Sequence, residues 1–107
     1  MKIAVFVSGR GSNLKAILNY PDLKNLIEIV AVLSDKSDCK AFEIAKEYGI
    51  KSFSVGDGAE KIKQMEITTH LKKLEVGLVV LAGYLKLIPS DLIENFENRI
   101  INIHPAL

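Results

Sequence analysis

The sequence predicts a three-layer α/β fold on a mostly parallel sheet, with five strands and about four helices. Two patterns carry that expectation. Five short runs rich in Val, Ile and Leu punctuate the chain, as in strands buried on both faces. The stretches between them repeat apolar residues at the three- and four-residue spacing of a helix face. Strand and helix in alternation demand crossover connections, which are right-handed in parallel sheets and set helices on both sides, a Rossmann-like arrangement. A length of 107 residues suits one such domain, with no linker, repeat or low-complexity segment.

The first strand is "KIAVFV" (2–7). After it, Ser12 or Asn13 is the expected N-cap of a first helix whose Leu14, Ile17 and Leu18 share one face. "IEIVAVL" (27–33) reads as the second strand. Asp38 is the expected cap of a second helix, in which Ala41, Ile44, Ala45 and Tyr48 recur a turn apart and Gly49 is the stop. "KSFSV" (51–55) reads as the third strand, followed by a third helix from about Ala59 to Glu75 with Ile67, Leu71 and Leu74 on its apolar side. "LVVLA" (78–82) is the fourth strand, and Pro89 suits the first turn of a short helix that directs Leu92 and Phe96 the same way. "RIINI" (99–103) is the fifth strand.

Charge and composition exclude several classes. Lys and Arg total 14 against 13 Asp and Glu, a net charge of +1 with no block of one sign, which argues against a nucleic-acid surface or a membrane patch. No apolar run approaches a membrane span, and Ile3 to Val7 is too short for a signal-peptide core. The lone cysteine, Cys39, cannot close an internal disulfide, in keeping with a reducing compartment. The expectation is a cytoplasmic protein acting on small molecules. Cys39, His70 and His104 lack metal-ligand spacing, so no metal is expected. No G-x-S-x-G motif marks a nucleophile, and His70, in the exposed third helix, reads as a structural residue.

In a doubly wound sheet ligands bind beyond the carboxyl ends of the strands, where strand order reverses. The first such end is "SGRGSNL" (8–14), with two glycines, then Ser12 and Asn13, at the expected start of a helix. Its free N–H groups and side-chain donors suit a phosphate; the alternative is a glycine-rich turn that only connects strand to helix. Arg10 reads more readily as a solvated loop charge than as a phosphate ligand. Leu14 stands where a dinucleotide fingerprint needs its third glycine, so that reading is weaker, although Asp35 sits where a ribose-binding acid would.

The fourth strand leaves through Gly83 into "YLKLI" (84–88), either an apolar slot for a flat ring or core covering the sheet end. The chain closes on "INIHPAL" (101–107). In a strand Asn102 and His104 share one face and Ile101 and Ile103 the other. An Asn that donates and accepts, beside a His that carries a proton near neutrality, can polarise a carbonyl and move a proton. His104 alone is equally a structural hydrogen-bonder.

Taken together, "KIAVFVSGRGSNLKAIL", "AVLSDK", "VVLAGYLKLIP" and "NRIINIHPAL" resemble the phosphoribosylglycinamide formyltransferase family, in four segments in order from Met1 to Leu107. The resemblance implies the formyltransferase fold and formyl transfer from 10-formyltetrahydrofolate to glycinamide ribonucleotide in purine biosynthesis, with the folate as cosubstrate and no other cofactor. It implies that Gly11, Ser12 and Asn13 bind the substrate phosphate, that Leu85, Lys86, Leu87 and Ile88 hold the pterin ring, and that Lys61 contacts the folate. Asn102 and His104 match the catalytic pair, Asn102 also facing the folate. Family members commonly carry Arg where this chain has Lys86.

The family continues past "HPAL" with an Asp that pairs with the histidine. The resemblance therefore implies an N-terminal formyltransferase-type domain over residues 1–107, ending after the Asn-x-His strand. It implies activity near background for these residues alone and a fifth-strand edge open to self-association. Formyltetrahydrofolate hydrolase and methionyl-tRNA formyltransferase share the Asn-x-His site, but the first usually carries a regulatory domain in front and the second a basic extension. The rival from another class is a non-catalytic Rossmann-like module that binds a phosphorylated ligand, which needs neither Asn102 nor His104.

Overall fold

A computed structural model of the chain describes residues 1–20, 26–84, 86 and 88–103. Its strands are β1 (Lys2–Val7), β2 (Glu28–Ser34), β3 (Ser52–Ser54), β4 (Leu78–Ala82) and β5 (Ile100–Ile103), and its helices are α1 (Ser12–Leu18), α2 (Lys40–Glu47), α3 (Ile67–Lys73) and α4 (Ser90–Asn95). The strands form one sheet in the order β3-β2-β1-β4-β5, and every pairing is parallel. The all-parallel α/β architecture is the one the alternation predicts.

Period-two alternation in β1 feeds both faces of the sheet. Ile3, Val5 and Val7 pack with Val32, Val80 and Ala82 against Leu14 of α1 and Ala41, Ile44 and Ala45 of α2. Ala4 and Phe6 pack with Ala31, Leu33 and Val79 against Ile67 and Leu71 of α3 and Leu92 and Phe96 of α4. Two-sided burial explains why these strands read as continuous apolar runs. Among the described residues no helix is long and apolar enough to cross a membrane.

Several local expectations are corrected. Neither Ser12 nor Asn13 caps α1: Gly11 does, and no side chain closes that cap. Cys39, not Asp38, precedes α2, again without a side-chain cap. The third helix does not begin near Ala59. Residues 59–63 instead make a turn and a parallel bridge between Ile62 and Val55, followed by a 3₁₀ turn, Gln64–Glu66, before α3. The bridge wins because it satisfies both backbone groups of Ile62 from the residues flanking Val55, the Ile62 N–H donating to the Ser54 carbonyl at 2.7 Å and the Gly56 N–H to the Ile62 carbonyl at 3.0 Å. Tyr48 follows the apolar spacing of α2 yet is exposed, its hydroxyl donating to Asn19 Oδ1 at 2.9 Å.

His70 is half-buried rather than fully exposed. Its ring lies edge-on to Phe53 with centroids 4.4 Å apart, and Nε2 is sealed from solvent without a hydrogen-bond partner. Burial, and then the Lys73 ammonium, lower its pKa below the usual 6.5. The unfolded chain therefore takes up this proton at higher pH than the folded one. The His70 contribution is fully present above about 6.5 and is lost as pH falls through that value toward the folded pKa. Urea denaturation midpoints should fall between pH 7.5 and 5.5, and His70→Phe should flatten that slope.

Glycine at two helix ends makes a second expectation. Gly11 has φ +83°, and a Cβ there would lie 2.8 Å from Ile44 Cδ1 and 3.0 Å from the Ala41 Cα. Gly49, just past α2, has φ +70° but open space around it. Gly49→Ala bears only the left-handed backbone strain and should lose about 1 kcal/mol. Gly11→Ala adds overpacking and should lose about 2–4 kcal/mol by the same denaturation measurement.

Candidate active site

Strand order reverses beside β1: the chain winds outward through β2 to β3, then crosses back to β4 on the other side. The helices leave β1 and β4 on opposite faces, so their carboxyl ends part and open a groove at the switch point. The groove has a volume of about 320 Å³. From the β1 end it is lined by Ser8, Arg10, Gly11, Ser12 and Asn13. Gly83 and Tyr84 line it from the β4 end and Asn102 from β5.

The first loop is rigid because its neighbours hold its backbone. The Ala41 N–H donates to the Gly9 carbonyl at 3.1 Å, and the Lys15 N–H closes the first turn of α1 on the Gly11 carbonyl at 2.9 Å. The N–H groups of Ser12, Asn13 and Leu14 precede that first helical bond and have no acceptor within the helix. With the Ser8 and Ser12 hydroxyls and the Asn13 amide they give the groove a wall of donors. Among the described residues no group of three or more His, Cys, Asp or Glu could hold a metal ion.

Opposite that wall, Asn102 is exposed on β5, in register with Leu81 of β4, and its amide reaches the same groove. Tyr84 packs edge-on to Phe6 with ring centroids 5.3 Å apart. Burial, and then the Asp35 carboxylate, push its phenol above the usual range, so it stays a neutral donor and acceptor at physiological pH.

Of the residues singled out from sequence, Gly11, Ser12, Asn13 and Asn102 come together in this groove. His104, Leu85 and Leu87 lie outside the described residues. Lys86 is exposed, and Ile88 is half-buried against the core cluster under α3 and α4. Lys61 lies in the turn before the 3₁₀ segment, away from the groove lining. Its ammonium donates to the Asp35 carbonyl at 2.9 Å while its stem packs over Gly56 and Gly58. That bond uses one of the three N–H donors of the ammonium. Ser8 is unassigned in the sequence reading and Arg10 reads there as a solvated loop charge, although every residue from a strand's end to the first turn of its helix borders a switch-point groove.

A formyl transferase family profile matches residues 1–107. The chain is 42% identical to a chloroplastic phosphoribosylglycinamide formyltransferase from Vigna unguiculata, over 99% of this chain and 35% of that protein. It is 38% identical to the phosphoribosylglycinamide formyltransferase of Bacillus subtilis (strain 168), over 99% of this chain and 56% of the relative. The crystal structure of phosphoribosylglycinamide formyltransferase from Anaplasma phagocytophilum superposes with a TM-score of 0.83 at 34% identity, covering all of this chain and 50% of that one. The chain thus spans between about a third and somewhat over half of the length of these relatives.

The tether at Lys61 fixes an expectation of its own. Lys61→Ala removes a charged donor and the methylenes lying on two glycines, and should lower stability by about 1–2 kcal/mol. Amide hydrogen exchange should quicken at Asp35, Lys36 and Gly56 while the Asn102 amide keeps its protection.

Proposed function

The chain belongs to the formyl transferase family, and from that premise we propose that residues 1–107 form a single formyltransferase-type domain that takes part in moving a formyl group from 10-formyltetrahydrofolate to the amine of glycinamide ribonucleotide. One observation carries the reading: the groove joins a loop of N–H and hydroxyl donors, residues 8–13, to the Asn102 amide from the far end of the chain. A phosphorylated amine needs the first, and acyl transfer needs the second.

The roles follow from the chemistry. The phosphate lies against Gly11, Ser12 and Asn13, which accept no proton and offer donors. The pterin lies along Leu85 to Ile88, beside the half-buried Tyr84. The substrate amine attacks the formyl carbon, forming a C–N bond and placing negative charge on the formyl oxygen. Asn102 donates to that oxyanion. The intermediate collapses as the bond from carbon to N10 breaks, N10 takes a proton and the attacking nitrogen gives one up; His104 is the proposed carrier. The folate is a substrate, and the steps need no further cofactor.

Titration of glycinamide ribonucleotide into the isotopically labelled chain tests this. Saturable amide shifts confined to Gly11, Ser12, Asn13, Tyr84 and Asn102 are expected. A folded spectrum that does not move counts against the assignment. In an active form of the protein, Asn102→Ala should lower kcat by about a hundred- to a thousandfold, as loss of an oxyanion donor does, while ribonucleotide affinity stays within about threefold. An unchanged kcat would favour a pure binding module.

A further inference from the structure

We propose that Arg10 is the specificity-determining residue of the switch-point groove, its guanidinium pairing with the dianion of a phosphate monoester. The inference rests on the formyl-transfer reading above and names the group that selects the phosphorylated substrate. Among the described residues, those lining the groove apart from Arg10 are apolar or carry neutral polar groups: hydroxyls, amides and backbone. Arg10 alone among them has a side chain charged at neutral pH, and it is exposed.

Nearby cations are occupied. The Lys61 ammonium is held by the Asp35 carbonyl, and the Lys36 ammonium lies 3.9 Å from the Asp35 carboxylate with its stem against Gly9. The other ion pairs among the described residues are Lys2 with Glu75 and Lys40 with Glu43, so none draws on Arg10.

Charge balance makes the case. A phosphate monoester carries roughly −1.5 to −2 at neutral pH, and neutral donors alone leave that charge poorly compensated in a groove walled by protein. The guanidinium stays charged at every working pH, and its planar fork matches two phosphate oxygens at once. The backbone beneath it is already fixed, because Gly9 is bonded to Ala41 on one side and Gly11 is wedged under Ile44 on the other. Binding therefore orders one side chain and leaves the loop as it is. The selectivity that results is for a dianionic ester over its dephosphorylated form.

The test uses wild-type chain, Arg10→Ala and Arg10→Lys, with inorganic phosphate and glycinamide ribonucleotide as separate probes followed by amide shifts. Arg10 is exposed and unpaired, so all three chains should share one folded spectrum. Arg10→Ala should weaken both probes about ten- to a hundredfold, the range for hydrogen bonds to charged groups. Arg10→Lys should fall between, keeping charge without the fork. Wild-type affinity should also drop as pH falls through about 6, where the dianion protonates, and Arg10→Ala should flatten that profile. Equal affinity of Arg10→Ala and wild type for the ribonucleotide would overturn the role of Arg10 and leave the formyl-transfer reading standing. Arg10-dependent binding of phosphate without added affinity for the ribonucleotide would support Arg10 and count against that reading. A wild-type chain that binds neither probe would overturn both.

Discussion

Gly11 carries no side chain because helix α2 lies where one would go, with Ile44 and the Ala41 backbone closer than a Cβ tolerates. The same approach brings the Ala41 N–H onto the Gly9 carbonyl. One close contact thereby joins the loop after β1 to the helix after β2, elements that the sheet already holds side by side. The donors of residues 8–13 owe their fixed direction to this contact, since no side-chain cap holds the start of α1. A ligand meeting these donors finds them ordered, and binding is spared the entropy of ordering a loop.

The groove exists because β1 is central. Its apolar side chains are consumed on both faces by four helices, which leaves polar residues a place only where the strand ends and helices diverge. There Ser8, Ser12 and Asn13 face Tyr84 and Asn102 across a space suited to a small ligand. The arrangement puts different chemistry on its two walls: one carries hydrogen-bond donors and a guanidinium, the other a phenol and an amide.

A second set of contacts steadies the outer strands. The buried Ser34 hydroxyl accepts from the Lys36 N–H at 3.2 Å, Ser54 donates to the Lys36 carbonyl at 2.8 Å, and Lys61 clamps Asp35. These bonds fix the turn after β2, and with it the Asp35 carboxylate whose field helps keep Tyr84 neutral.

Sequence by itself determined the strands, because burial on both faces writes itself as runs of Val, Ile and Leu whatever the neighbours are. It also singled out Gly11, Ser12, Asn13 and Asn102, which the fold gathers in one groove, since strand ends in a parallel sheet are where polar groups escape the core. Tertiary structure decided the rest. The helix expected from Ala59 became a turn and a bridge, because Ser54 and Gly56, on either side of Val55, offered Ile62 backbone partners that apolar spacing cannot reveal. His70 is half-buried because Phe53 of β3 packs edge-on to its ring. Lys61 is tied to the Asp35 carbonyl, and the exposed Arg10 is the one charged side chain of the groove among the described residues, because a cation's surroundings depend on which acceptors the fold sets within reach. A sequence records residue types in order, whereas those distances arise only when segments far apart in the chain are packed together.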